Sequence, residues 1–189
     1  MKRIIILASG SGTNAENIMK YFKNSNSISI VQVLSNRKDA KVLERAGRLN
    51  VSCASFNRDS FYTKNEVLNN LKLNADYIIL AGFLWKIPSN IIDAFPNKII
   101  NIHPALLPKF GGKGMYGMHI HTAVIKNKEK ETGITIHFVN ENYDEGAIIF
   151  QKSVEVLVCD TAETIADKIH ILEQENFPKV IEQIIVKNG

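Results

Sequence analysis

The stretch Lys2-Arg3-Ile4-Ile5-Ile6-Leu7-Ala8-Ser9-Gly10-Ser11-Gly12-Thr13-Asn14-Ala15 decides the fold. Its first half is a continuous aliphatic run, the signature of a strand buried on both faces of a parallel sheet. The run stops at a glycine-rich turn, and apolar residues at helical spacing (Ile18, Met19, Phe22) follow over Asn14–Lys23. A strand that passes through glycines into a helix N-terminus is suited to anions. Glycine lets the backbone come close, and the helix end offers free N–H groups and a partial positive charge. Gly10-x-Gly12-x-x-Ala15 also fits the relaxed dinucleotide fingerprint. A dinucleotide site wants an acid at the end of the second strand to hold a ribose, and that place reads Leu34-Ser35-Asn36-Arg37. The loop therefore suits the phosphate of a smaller ligand better than a dinucleotide, with a purely structural tight turn as the other alternative.

Strand and helix patterns alternate outward from this unit. Ile28–Ser35 reads as a second strand, Asp39–Leu49 as a helix with Asp39 at its N-cap, and Val51–Phe56 as a short third strand. Asp59–Leu73 reads as one helix, Asp76–Ala81 as a fourth strand, Pro88–Phe95 as a helix opened by its proline, and Lys98–Ile102 as a fifth strand. Short turns between such units imply right-handed crossovers and a doubly wound, mostly parallel α/β sheet. The texture changes at Pro104–Gly117, a loop with two prolines and four glycines. Met118–Lys126 looks helical. Thr132–Asn140 and Ala147–Val158 form a β-hairpin around the turn Glu141–Gly146, and Thr161–Val186 is one long helix or two broken at Pro178.

Composition narrows the class. The chain has 189 residues, 45% hydrophobic and 22% charged, ordinary for a globular protein and long enough for one well-buried core. A single domain over residues 1–189 is expected. No apolar run approaches the roughly 20 residues of a membrane span, and the five-residue apolar stretch at the N-terminus is short for a signal peptide. This points to a cytoplasmic protein without a membrane partner. The net charge of +4 comes from scattered lysines and arginines rather than a basic block, which does not argue for nucleic acid. Cys53 and Cys159 are far apart and form no Cys-x-x-Cys, so neither a disulfide framework nor a thiolate zinc site is indicated.

Chemistry gathers at the end of the fifth strand. In Asn101-Ile102-His103 the first and third residues point to the same side, at the strand edge where open α/β sheets bind ligands. An amide and an imidazole together suit acyl-type transfer: a donor for a developing oxyanion and a proton carrier with an ordinary pKa of about 6.5. Asp144, in the hairpin turn Tyr143-Asp144-Glu145-Gly146, is a carboxylate that would raise an imidazole's pKa if the fold brought the two together. A metal is not indicated. His119 and His121, two apart on a helix, diverge by about 200°, and His137 lacks a ligand-spaced neighbour.

Taken in order, the segments Leu7–Asn14, Ala81-Gly82-Phe83-Leu84-Trp85-Lys86-Ile87, Asn101-Ile102-His103-Pro104-Ala105-Leu106-Leu107-Pro108, Thr132–Val139 and Asp144-Glu145-Gly146-Ala147-Ile148-Ile149 cover most of the chain. Together they resemble the glycinamide ribonucleotide formyltransferase family of purine biosynthesis. The resemblance implies a Rossmann-like formyltransferase fold with a C-terminal hairpin and helix. It implies transfer of a formyl group from the co-substrate 10-formyltetrahydrofolate to the primary amine of glycinamide ribonucleotide, with no metal. It assigns the catalytic trio to Asn101, His103 and Asp144. Gly12, Thr13 and Asn14 match the loop that holds the ribonucleotide phosphate, and Glu173 a glutamate near the glycinamide end. Leu84, Trp85, Lys86 and Ile87 match the pterin-pocket segment, Asn140 to Asp144 the turn closing over the pterin, and Arg58 a folate-contacting arginine. Asn101 and Asp144 also count among the folate contacts. Trp85 and Lys86 depart from the methionine- or arginine-containing pair expected there. The loop Phe110–Met118 is the longer form found in part of the family. His170 stands where a basic or amide residue lies near the phosphate in some members, which suggests a pH-dependent phosphate contact.

On this reading Asn101 and a protonated His103 stabilise the oxyanion, and His103 relays the amine proton with Asp144 favouring its charged form. A monomer or homodimer acting on small molecules is expected. Alternatives are another folate-dependent formyltransferase such as the methionyl-tRNA enzyme, whose relatives look longer, and a nucleotide- or folate-binding module without turnover. An NAD-dependent oxidoreductase is disfavoured by the missing acid at Asn36.

Overall fold

The structure, a computed structural model, describes residues 1–187. In chain order the elements are β1 (Lys2–Ala8), α1 (Thr13–Phe22), β2 (Ile28–Ser35), α2 (Lys41–Arg48), β3 (Ser52–Ser55), α3 (Arg58–Tyr62), α4 (Glu66–Asn74), β4 (Tyr77–Leu80), α5 (Ser89–Ala94), β5 (Ile99–His103), α6 (Met118–Lys126), β6 (Glu131–Phe138), β7 (Ile148–Glu155) and α7 (Ala162–Lys187). The strands form one seven-stranded sheet in the order β3-β2-β1-β4-β5-β6-β7. The first five strands run parallel. The last two return antiparallel as the hairpin.

Alternation along β1 divides the core in two. Ile4, Ile6 and Ala8 pack against Ala15, Ile18 and Phe22 of α1, Val42 and Ala46 of α2, Ile120 and Val124 of α6 and the apolar side of α7. Ile5 and Leu7 face the other way, onto Phe61, Leu68, Leu71 and Ile91 from α3, α4 and α5. Helices therefore cover both faces, which is why β1 is apolar at every position from Ile4 to Ala8. The chain order reverses between β1 and β4, so the loops leaving these two strands diverge to opposite faces and open a crevice, the usual ligand position in such sheets.

Several local expectations need correction. The single helix expected over Asp59–Leu73 is two, α3 and α4, because Asn65 takes a left-handed backbone (φ 57°) between them. Asp39 does not cap α2. Its carboxylate is held by Arg37 at 2.9 Å, and the N-cap is Ala40. Pro88 is the N-cap of α5 rather than part of its first turn. Pro178 does not break the last helix: α7 runs unbroken for 26 residues. Proline removes one helical N–H, which frees the carbonyl four residues back. Here that carbonyl, Gln174 O, accepts from Asn17 Nδ2 of α1 at 2.8 Å, so the loss is compensated across the helix pair. No described helix is long and apolar enough to cross a membrane.

Candidate active site

The crevice is a cavity of about 860 Å³, near the upper end of the range for ligand sites. One end is the turn after β1. Gly12 adopts φ 76°, and a side chain there would overlap Val42 of α2, so this position excludes any other residue on two counts. α2 braces the turn from behind: Val42 N donates to Gly10 O at 3.2 Å, and Arg45 Nε donates to Ser11 O at 2.8 Å. Arg45 also pairs with Glu16 on the first turn of α1. Ser9 ties this turn to the loop after β4, donating its N–H to Gly82 O (3.0 Å) while its Oγ accepts from Leu84 N (2.9 Å). Asn14 is fixed by α7. Its Nδ2 donates to Glu173 Oε2 (2.9 Å), and its Oδ1 accepts from Gln174 Nε2 (2.7 Å). Backbone N–H groups at the N-terminus of α1 remain available to an anion.

The other end is built on β5. Asn101 and His103 both line the cavity, and Asp144 reaches it from the hairpin turn. Asp144 Oδ2 lies 3.6 Å from His103 Nδ1 and accepts from Gly112 N at 2.9 Å. The carboxylate thus links the turn to the long loop of residues 104–117. Thr135 of β6 holds that loop elsewhere: buried completely, it accepts from Leu107 N (3.0 Å) and donates to Ala105 O (2.7 Å).

His103 Nε2 lies 2.8 Å from Phe110 O. A carbonyl only accepts, so Nε2 carries the proton and Nδ1, on the Asp144 side, is the basic nitrogen. Burial pushes the His103 pKa down, and the Asp144 carboxylate and Phe110 carbonyl pull it back only in part. The net direction favours the uncharged imidazole, against the expected preference for the charged form. Burial works to raise the Asp144 carboxyl, but the polar groups around it, the Gly112 N–H among them, hold it below its usual value, so it is ionised.

Sequence reasoning missed His137. It pairs directly with Asn101 in the β5–β6 register, and its Nε2 lies 3.1 Å from Asn101 Nδ2. His137 Nδ1 lies 2.8 Å from Phe138 O, so the proton is on Nδ1 and Nε2 accepts from the Asn101 amide. His137 thus orients Asn101, with the amide's second N–H left for a ligand. The visible signal was the spacing Thr135-x-His137 on a strand that would pair with Asn101-x-His103.

The structure separates the remaining expected site residues. Gly12, Thr13, Asn14, Glu173, Leu84, Asn101 and Asp144 line the cavity, as does His170. Glu173 sits beside Asn14 of the glycine turn, and its charge also acts on His103. His170 Nδ1 is 3.7 Å from Glu173 Oε2, and this neighbour raises the His170 pKa against the effect of partial burial. Arg58, Trp85, Lys86, Ile87 and Asn140 lie outside the cavity wall. Ile87 is buried in the second core, and Trp85 packs among Phe56, Phe61, Tyr62 and Phe83. The Arg58 guanidinium stacks on Tyr62 and Trp85, 5.2 and 5.5 Å from the ring centres. Lys86 Nζ is 5.8 Å from the centre of the Tyr143 ring, bridging the segment after β4 to the hairpin turn. Asn140 Oδ1 accepts from Asn142 N within that turn (3.0 Å). Among the described residues no group of His, Cys, Asp and Glu side chains is placed to hold a metal ion.

A doubly wound α/β sheet with an anion-binding turn at one end of a crevice and an amide, an imidazole and a carboxylate at the other defines a group-transfer enzyme of small phosphorylated substrates. Comparison with known proteins makes this specific. Residues 2–181 match the formyl transferase family model, and the chain belongs to that family. It is 37% identical over its whole length to phosphoribosylglycinamide formyltransferase of Bacillus subtilis, covering 97% of that protein. It is 35% identical to the chloroplastic phosphoribosylglycinamide formyltransferase of Arabidopsis thaliana over 97% of the chain, and spans 65% of that longer protein. The crystal structure of phosphoribosylglycinamide formyltransferase from Bacillus halodurans superposes with a TM-score of 0.89 at 33% identity, covering all of this chain and 97% of that one.

Proposed function

We propose that the protein transfers the formyl group of 10-formyltetrahydrofolate to the primary amine of glycinamide ribonucleotide, a step of purine biosynthesis. One observation carries the reading: Asn101, His103 and Asp144 converge on the same cavity whose far end is the anion-binding turn Gly10–Asn14. Relatives of that name covering nearly all of the chain support the substrate pair. In this reading the turn and Glu173 hold the ribonucleotide, and the folate enters past Leu84 and the hairpin turn. Arg58, Trp85, Lys86, Ile87 and Asn140 shape its approach from outside the cavity. All 189 residues act as one domain, in the cytoplasm, as a monomer or homodimer, without nucleic acid or membrane.

The reaction joins the amine nitrogen to the formyl carbon and breaks that carbon's bond to the folate nitrogen. The amine gives up a proton and the folate nitrogen gains one. The negative charge that builds on the formyl oxygen is met by the Asn101 amide, held in place by His137. Neutral His103 takes up the amine proton at Nδ1, directly or through water, and the resulting imidazolium is stabilised by Asp144 3.6 Å away. The same proton then passes to the leaving nitrogen. Phosphate bound far from the reacting amine supplies orientation.

The test is a formyl-transfer assay with both substrates, following folate absorbance. Wild-type turnover, with Asn101→Ala and His103→Ala reduced by about 10²–10³ or more, supports the reading. A folded wild-type protein without turnover, or a His103→Ala variant near wild type, overturns it.

A further inference from the structure

Arg45 of α2 is no part of the cavity wall, yet it is bonded to two parts of the anion-binding end. Val42 and Arg45 lie three residues apart on α2, and both reach the turn after β1 from behind. Val42 N donates to Gly10 O at 3.2 Å, and Arg45 Nε donates to Ser11 O at 2.8 Å. A trans peptide is planar, with its C=O and N–H pointing in opposite directions. Fixing the Gly10 and Ser11 carbonyls on α2 therefore turns the next two N–H groups, those of Ser11 and Gly12, away from α2. No residue of α2 lines the cavity, whereas Ser11 and Gly12 both do. Neither of these N–H groups donates to another group among the described residues.

Charge gives Arg45 a second task. Glu16 lies in the first turn of α1, where a carboxylate suits the helix end but repels an anion bound there. Its Oε2 is paired with Arg45, and its Oε1 with Lys20 Nζ at 3.2 Å. The Lys20 side chain is 60% exposed and that of Arg45 only 25%, so Arg45 is the less screened of the two cations. Arginine can do both tasks at once because its planar fork holds several N–H groups in fixed directions: Nε serves the carbonyl and Nη1 the carboxylate. We infer that Arg45 is a positioning residue for the ribonucleotide phosphate, which aims the Gly12 N–H into the cavity and cancels the Glu16 charge beside the bound anion. The inference rests on the functional reading above and deepens it.

Calorimetric binding of glycinamide ribonucleotide without folate, together with steady-state kinetics, tests it. Arg45→Met keeps the stem and loses the fork. It is expected to weaken ribonucleotide binding about tenfold, the scale of one charge-assisted hydrogen bond, with the KM for 10-formyltetrahydrofolate within about twofold. A bracing role alone lowers Tm without separating the two substrates in this way. Glu16→Gln added to Arg45→Met removes the exposed repulsion and is expected to recover about threefold of the loss, while Glu16→Gln alone binds at least as tightly as wild type. Arg45→Met binding the ribonucleotide as tightly as wild type overturns the inference, as does equal weakening for both substrates or a double variant no better than Arg45→Met. If Arg45→Met does not fold, Arg45→Lys decides: one ammonium cannot serve both Ser11 O and Glu16, so binding weakens about threefold, and wild-type binding overturns the inference. Wild type that does not bind the ribonucleotide overturns the functional reading. Arg45 is then judged with inorganic phosphate as the probe, where equal binding by wild type and Arg45→Met, or binding by neither, overturns the inference as well.

Discussion

Asn101 and His137 face each other across the β5–β6 pair, 3.1 Å apart, with the imidazole accepting the amide N–H. This makes His137 a positioning residue for the oxyanion donor. His137→Ala frees the amide to rotate, and the expected result is a fall in kcat of about tenfold, less than the loss of the donor itself. KM for either substrate stays within about twofold. His137→Gln, whose amide oxygen can accept the same N–H, recovers most of the loss. Steady-state kinetics of the three proteins check this, and an unchanged kcat in His137→Ala removes His137 from the mechanism.

The second prediction concerns pH. His103 acts as a neutral base, so kcat rises with pH through the His103 pKa, which burial holds below 6.5. Asp144 raises that pKa. Asp144→Asn removes the opposing charge, so the acidic midpoint of the kcat–pH profile moves to lower pH. Turnover at the plateau falls as well, because the imidazolium loses its counter-charge. A midpoint that moves up, or stays fixed, rules out the base role.

Gly12 is constrained by its positive φ and by Val42 behind it. Gly12→Ala is expected to destabilise the protein by about 2–4 kcal/mol, combining left-handed strain with overpacking. Val42→Ala in the same chain removes only the Cγ2 overlap, because the Cβ and Cα of residue 42 stay within 2.5 and 2.8 Å of the added methyl, so it recovers only a small part of the loss. Thermal melts of the single and double variants check this, and a Gly12→Ala protein as stable as wild type refutes the close approach.

Stability should also fall on mild acidification. His103 and His121 are both held below the ordinary value of 6.5 by burial. The unfolded chain then binds more protons as pH drops through about 6.5, and stability is lost from there down towards the folded pKa values. His170 has a raised pKa and acts in the opposite sense, its contribution being full below 6.5 and lost as pH rises through its folded value. The two more deeply buried rings are expected to dominate, giving a lower Tm at about pH 5 than at about pH 7. His121→Gln should flatten this dependence. An equally steep profile in that variant would show that His121 does not titrate on unfolding.

Periodicity and turn chemistry alone determined the sheet, its parallel half, the hairpin and the place of the glycine turn. Those signals are local: an uninterrupted aliphatic run at Ile4–Ala8 has to be buried on both faces, and Gly10–Gly12 has to turn. The same kind of signal put Asn101 and His103 on one side of one strand edge. What it did not contain was the partner of each polar group. Asp39 carries the pattern of a helix cap, but Arg37 competes for its carboxylate. Pro178 carries the pattern of a break, but Asn17, distant in sequence, satisfies the freed carbonyl. His137 looked like an isolated histidine until the β5–β6 register set it against Asn101. The sign of the His103 charge also depended on tertiary structure. A nearby carboxylate argues for imidazolium, and only the extent of burial, which no residue spacing encodes, decides that desolvation wins.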